Sequence, residues 1–252
     1  MNKARLIPSD ELLKKNRIGA GNFELVGKNF LDRFINYCNV TKESRVLDIG
    51  CGLGRMAYAF IDFLDPEKGE FYGLDVNHDS INWLKTRYSE LAHFNFDIID
   101  LENEWYNPSG KMHGSRYRFG FDSDSFDLIY LTSVFTHVYK DVHENYMQEI
   151  ARLLKPKSRA LITYYIINDF SLEQVNLKIK KNIVPFKSLN NSKDIFTSNL
   201  KKPEACIGFE ESYVKKCLSK VGLKIVDDIK YGSWTGRKNT MSFQDILIVE
   251  KT

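Results

Sequence analysis

Two hydrophobic rhythms alternate along the chain. Phe30, Leu31, Phe34, Ile35 and Cys38 recur at helical spacing. Val46, Leu47 and Ile49 then form a short apolar run that stops in Gly50-Cys51-Gly52-Leu53-Gly54. Met56, Ala57, Phe60, Ile61 and Leu64 resume the helical period over residues 55–64, so this segment predicts strand, glycine turn and helix. Residues 71–75 predict a second strand ending in Asp75, and Asp79 is the expected cap of a helix carrying Ile81, Leu84, Tyr88 and Leu91. Phe94, Phe96 and Ile98 alternate as a third strand. Residues 102–124 lack a helical period and contain Pro108, Gly110, Gly114 and Gly120, which predicts a long loop.

Residues 127–132 predict a fourth strand. Asp141 is the expected cap of a helix with Val142, Tyr146, Met147, Ile150, Leu153 and Leu154 on one face, stopped by Pro156. Residues 160–166 predict a fifth strand. Tyr213, Val214, Cys217, Leu218 and Val221 mark a last helix ended by Gly222, followed by two strands at 223–228 and 245–250. Strands alternating with helices predict an α/β domain spanning residues 1–252 as one unit. Residues 1–27 are polar, with Gly19, Gly21 and Gly27 as breakers, and read as an N-terminal extension. Residues 168–207 carry Lys178, Lys180, Lys181, Lys187, Lys193, Lys201 and Lys202. That stretch is too long for a plain βα connection and predicts a partly helical cap insertion over the substrate site.

Composition narrows the class. A chain of 252 residues that is 43% hydrophobic and 27% charged is that of an ordinary globular domain. A net charge of +3 makes nucleic acid an unexpected partner, and the lysines of the insert lack the aromatic interleaving of a nucleic-acid groove. Cys38, Cys51, Cys206 and Cys217 show no metal-site spacing, and no His, Asp and Glu cluster suggests a metal. No signal peptide or membrane-length apolar run is visible, so a cytoplasmic protein is expected.

The glycine turn narrows the ligand. A strict G-x-G-x-x-G would need glycine or alanine where Arg55 stands, and no G-x-x-x-x-G-K-[ST] phosphate loop is present. Asp48, just before the turn, would repel a phosphate but suits an ammonium group. Asp75 stands where such units bind a ribose. The ligand then carries adenosine at one end and an amino acid with a positive centre at the other, a description that S-adenosylmethionine fits.

These residues resemble the class I S-adenosylmethionine-dependent methyltransferases. Residues 46–54 look like their first motif, Asp75 like the acid closing their second strand, and residues 94–100 and 126–133 like their third and fourth strands. Lys155-Pro156 stands where the family often has Lys-Pro-Gly-Gly, with Lys157-Ser158 replacing the glycine pair. The resemblance covers residues 30–165 and 208–251. It implies a Rossmann-like doubly wound, seven-stranded, mostly parallel sheet in the order 3-2-1-4-5-7-6, with helices on both faces and an antiparallel terminal pair. It also implies S-adenosyl-L-methionine as cofactor and S-adenosyl-L-homocysteine as product.

Ligands of open α/β sheets bind beyond the carboxyl ends of the strands, which turns chain position into site membership. Asp48, Gly50, Cys51 and Gly52 are expected to hold the methionine half, and Asp75 both ribose hydroxyls. Val76 is expected on the adenine face, Asp100 on the adenine amino group with Leu101 beside it, and Asp97 competes with Asp100. Thr132 or Ser133 is expected to offer a carbonyl to the cofactor's ammonium. His137, just past strand four, is a candidate general base or a histidine that merely bonds a loop carbonyl. Of Tyr164 and Tyr165, one should face the pocket, and Tyr165 is chosen. Trp234 and Arg237 form either an acceptor-pocket wall or an exposed hairpin tip. The reading is methyl transfer to oxygen or nitrogen of a small-molecule acceptor. A non-catalytic nucleotide-binding sensor and an aminopropyltransferase are the alternatives, and oligomeric state is unreadable.

Overall fold

The protein, described from a computed structural model, is seen over residues 3–177 and 183–252. Lys178, Lys180 and Lys181 of the lysine-rich insert lie outside the described residues. Seven strands form one sheet: β1 (Arg45–Ile49), β2 (Glu70–Asp75), β3 (Phe94–Ile98), β4 (Phe126–Leu131), β5 (Leu154–Tyr164), and two later strands at Leu223–Ile225 and Asp245–Lys251. Their spatial order runs β3, β2, β1, β4, β5, then Asp245–Lys251, then Leu223–Ile225. This is the order 3-2-1-4-5-7-6. The first five strands pair in parallel, and Asp245–Lys251 runs antiparallel to both its neighbours. The sequence reverses direction at the β1–β4 junction, where such sheets open a crevice beyond their strand tips.

The helices are α1 (Asp10–Lys15), α2 (Phe23–Cys38), α3 (Arg55–Phe60), α4 (His78–Arg87), α5 (Lys140–Leu153), α6 (Asp169–Leu177) and α7 (Glu211–Lys220). Helices α2, α3 and α4 bury Phe34, Phe60 and Leu84 with Val46, Phe71 and Tyr130 on one face of the sheet. Helices α5 and α7 bury Met147, Ile150 and Leu218 with Leu47, Ile129 and Ile162 on the other. The alternation of strand side chains thus feeds two separate cores.

Three local expectations are corrected. Helix α2 starts at Phe23, capped by the Asn22 side chain, and runs through Gly27. Gly27 is a contact point and not a breaker, because a Cβ there would lie 2.4 Å from the Arg55 carbonyl oxygen on α3. Asn77, not Asp79, caps α4 by accepting from the Ser80 N–H at 2.9 Å. Asp141 lies inside the first turn of α5, whose cap residue is Tyr139.

The insert is part helix and part sheet. Strand β6 (Ile166–Ile167) precedes α6, and β7 (Lys187–Ser188), β8 (Ile195–Thr197) and β9 (Ile207–Glu210) follow it; the four make a second sheet in the order β6-β9-β8-β7. The remaining strands of the main sheet are then β10 (Leu223–Ile225) and β11 (Asp245–Lys251). Asp245, fully buried at the start of β11, joins the two sheets. It accepts from the backbone N–H of Ile166 and of Gly232, both at 2.6 Å. Lys157, where the family often has glycine, takes φ +62°, the left-handed conformation that glycine supplies more readily, inside β5 where its pairing with β4 shifts register. No described helix is long and apolar enough to cross a membrane.

Candidate functional site

A cavity of about 800 Å³ opens beyond the tips of β1, β2 and β4. Its floor is the glycine turn. Gly50, Gly52 and Gly54 all have positive φ, at +82°, +52° and +75°. A Cβ on Gly50 would lie 2.4 Å from Val134 Cγ2, so here the glycine is required by space as well as by backbone. The turn is tied to β2: Gly50 and Cys51 donate to the Leu74 carbonyl at 2.7 and 3.0 Å, and Gly52 donates to Asp75 Oδ2 at 2.7 Å. Gly54 donates to the Cys51 carbonyl. These N–H groups are therefore committed, and the turn is not the anion nest that a pyrophosphate needs.

Asp75 lines the cavity and is 9% exposed. Its Oδ1 accepts from the Asn77 N–H at 2.8 Å, so each carboxylate oxygen already holds one backbone donor. Two oxygens have about four acceptor positions, which leaves capacity for a vicinal diol. Burial raises the Asp75 pKa, and the backbone donors oppose that rise. Val76 and Leu101 line the same cavity.

Asp48 does not line it. The side chain is 1% exposed and lies under the turn, on the face of Tyr130, its register partner on β4. Asp48 Oδ1 and Tyr130 Oη are both buried without a hydrogen-bond partner. Burial holds the Asp48 carboxyl well above the usual range, and the nearby Asp75 charge adds to the rise. Cys51 is a buried thiol, pushed up by the same burial and by Asp75 and Asp48.

The facing wall comes from β4 and β5. Thr132 and Ser133 line the cavity, as do Thr163, Tyr165 and Gln244. Ser133, at φ +61°, is held by its N–H on Thr163 Oγ1 at 2.7 Å and its hydroxyl on Gln244 Oε1 at 2.9 Å. Tyr164 instead enters the core, where its hydroxyl meets His143 Nε2 at 3.0 Å.

Further out, His137 sits on a short 3-10 turn, Phe135–His137, at the cavity wall. Its Nδ1 lies 2.8 Å from the Glu204 carbonyl oxygen. Facing an acceptor, Nδ1 carries the proton, which leaves Nε2 with the lone pair. Burial, the largest influence, lowers the His137 pKa, so the ring is neutral at neutral pH. Asn103 Nδ2 donates to the His137 carbonyl at 2.8 Å, and Tyr106 packs edge-on to the imidazole at 5.2 Å. Glu204 is 6% exposed, and burial raises its pKa to about 7, helped by Glu104 and Glu102.

Several expected site residues lie elsewhere. On β3, Phe94, Phe96 and Ile98 pack on the α4 side, whereas Ile99 and Leu101, just past the strand, pack on the α5 side and line the cavity. Asp100 therefore points away, taking Asn107 Nδ2 at 3.3 Å, and Asp97 pairs with Lys85 at 2.9 Å. Trp234 is 0% exposed and does not line the cavity; its indole N–H donates to Asp245 Oδ2 at 2.8 Å, behind Tyr165. Arg237 lies over the rings of Phe170 and Tyr231. The connection into β11 reaches the cavity through Ser242, Phe243 and Gln244 instead.

Sequence reasoning missed three contributors. Residues 16–20 of the N-terminal segment line the cavity, as do Asn103, Trp105 and Tyr106 of the long loop and Glu204 of the insert. Arg17 joins the first two: its guanidinium lies 4.2 Å from the Trp105 ring centroid and donates to the Trp105 carbonyl. The aromatic pair Trp105-Tyr106, inside a loop otherwise rich in turn residues, was the one available signal.

Comparison with known proteins agrees with this geometry. A family model described as a methyltransferase domain matches residues 40–204. The PH0226 protein of Pyrococcus horikoshii OT3 has a similar structure, with a TM-score of 0.61 at 13% identity over 97% of this chain and 100% of that one. A methyltransferase from Methanosarcina mazei gives 0.56 at 17% identity, over 86% and 96%. The 1,6-didemethyltoxoflavin-N1-methyltransferase of Burkholderia thailandensis, solved with 1,6-didemethyltoxoflavin and S-adenosylhomocysteine, gives 0.56 at 13% identity, over 99% and 88%. The matched family spans the glycine turn, the β2 carboxylate and the β4 wall, and the chain belongs to the S-adenosylmethionine-dependent methyltransferases of class I.

Proposed function

We propose that the protein methylates an oxygen or nitrogen of a small-molecule acceptor, with His137 as the base. Bound in the cavity, S-adenosylmethionine supplies a methyl group on a sulfonium sulfur, which departs as a neutral thioether as the acceptor's lone pair forms the new bond. Gly50, Cys51 and Gly52 would leave room for the methionine half, Thr132 or Ser133 would offer a carbonyl to its ammonium, and Asp75 would take the ribose hydroxyls. Val76, Ile99 and Leu101 would supply the apolar walls of the adenine site, the role first expected at Asp100. Asp48 would act through the turn above it, as a buried acid without a full set of partners.

No acid is needed to release a neutral thioether, so the chain's task is alignment and proton removal. The observation that carries the reading is the His137 tautomer, fixed by the Glu204 carbonyl, which leaves Nε2 able to accept a proton. A cavity of about 800 Å³ is within the roughly 300–1,000 Å³ typical of small-ligand sites, enough for a cofactor with a compact acceptor. The insert would cap the acceptor end through Glu204. Four free cysteines suit a reducing, cytoplasmic setting. The test is a screen of metabolite pools for transfer of a labelled methyl group. Labelled products at oxygen or nitrogen support the reading, and label found only on protein or RNA contradicts it.

A further inference from the structure

At the acceptor end of the cavity a buried acid has no cation paired with it among the described residues, and the lining arginines are held by backbone carbonyls. Two arginines line the cavity, and backbone carbonyls occupy both. Arg17 donates to Trp105 and packs on its ring, and Arg55 donates to Gly19 at 2.5 Å and to Ala20. Glu204 and Glu102 line the same space, and neither has a salt bridge among the described residues. Glu204 Oε2 takes the Glu104 N–H at 2.5 Å, the Asn103 side chain adds a neutral donor, and no cation pairs with it among the described residues. A carboxylate this buried is stable as an anion only with a cation or several donors beside it. Two more carboxylates, at Glu102 and Glu104, raise its proton affinity further.

We propose, building on the methyltransferase reading above, that the acceptor is an amine whose ammonium form is bound by the Glu204 carboxylate against the ring of Tyr106. The residue belongs to a knot of three segments. Glu104 donates to its carboxylate, its own carbonyl fixes His137, and Asn103 fixes the His137 carbonyl. Tyr106, edge-on to His137, provides an aromatic surface of the kind that attracts ammonium groups. An anionic acceptor would meet two carboxylates and no available arginine, so charge selects against it. The bound ammonium must shed one N–H proton to expose the lone pair that attacks the methyl carbon, and His137 Nε2 receives it. The nitrogen then gains the methyl group as the carbon–sulfur bond breaks.

The test uses the full-length protein saturated with S-adenosylhomocysteine and three probes of similar shape: 2-phenylethylamine, 2-phenylethanol and 3-phenylpropionate. Calorimetric titration at about pH 8, above the pKa of Glu204, should give the amine at least ~10-fold tighter binding than either other probe, as charge-assisted contacts do. Glu204→Gln should remove most of that preference while leaving S-adenosylhomocysteine affinity unchanged. Equal binding of the three probes, or none of the amine, overturns the inference in the wild-type protein alone, whatever the folding of the variant. So does a preference that survives in a folded Glu204→Gln protein. Failure of S-adenosylhomocysteine to bind would instead remove the methyltransferase reading on which the inference rests.

Discussion

The N–H of Gly52 donates to Asp75 Oδ2 at 2.7 Å, and with the two bonds from Gly50 and Cys51 to the Leu74 carbonyl it ties the turn after β1 to the tip of β2. The same carboxylate lines the cavity and also holds the Asn77 N–H ahead of α4. One side chain therefore shapes the turn, starts a helix approach and faces the ligand space.

Replacing Asp75 by Ala should weaken S-adenosylhomocysteine binding by about 1–3 kcal/mol and lower the melting temperature, since two backbone donors lose their acceptor. Asp75→Asn should fall between. Calorimetric titration with a parallel thermal melt checks both effects. Unchanged affinity would place the ribose elsewhere.

Gly50→Ala puts a Cβ at φ +82° and 2.4 Å from Val134 Cγ2. Left-handed backbone alone costs an alanine about 1–2 kcal/mol, and the overlap adds to it. Adding Val134→Ala should recover the overlap part and not the backbone part. Denaturant melts of the single and double variants measure this. Strictly additive losses would show that the two residues do not meet.

His137→Ala should lower kcat by roughly 100- to 10,000-fold, the range of a lost general base, with little change in cofactor affinity. Steady-state kinetics on whichever acceptor a screen returns will decide it. A rate within a few-fold of wild type would leave His137 as a histidine that only ties the insert to the sheet.

His143 is fully buried between Tyr164 and Tyr213, and burial lowers its pKa to about 3. Between the unfolded value near 6.5 and that value, the unfolded chain binds a proton the folded chain refuses. The stability from this histidine is thus complete above about pH 6.5 and is lost as pH falls toward 3. Asp245 has the opposite sign: its folded pKa is raised to about 6, so its contribution is lost as pH rises through that value. Only the difference between wild type and His143→Gln isolates the histidine. Wild type should lose about 2 kcal/mol more than the variant between pH 6.5 and 5. Urea melts at the two pH values test it, and parallel losses would contradict it.

Trp234→Phe should destabilise the fold by about 1–3 kcal/mol through the lost indole bond to Asp245, without changing the acceptor KM. A raised KM with unchanged stability would return Trp234 to the acceptor wall.

The sheet and its glycine turn were legible because they rest on local rules. Apolar runs of strand length end in glycines that need positive φ, and Asp75 follows its strand by position alone. The outer half of the site was not legible. Arg17 meets Trp105 across 88 residues, and His137 meets Glu204 across 67, so no short-range pattern announces either pair. Asp100 was misplaced for a different reason: the alternation of Phe94, Phe96 and Ile98 carries it onto the α4-side face, whereas Ile99 and Leu101 on the opposite face line the cavity. Trp234 was assigned to the cavity edge by strand direction, whereas a buried carboxylate, Asp245, turns it inward.

The most direct test of the whole account is a crystal structure of the protein with S-adenosylhomocysteine. The account predicts the ribose against Asp75, the amino-acid end over Gly50–Gly52 beside Ser133, and the sulfur facing the space that His137 and Glu204 enclose. Ligand density away from the β1 and β2 tips, with the Asp75 carboxylate untouched, would contradict it.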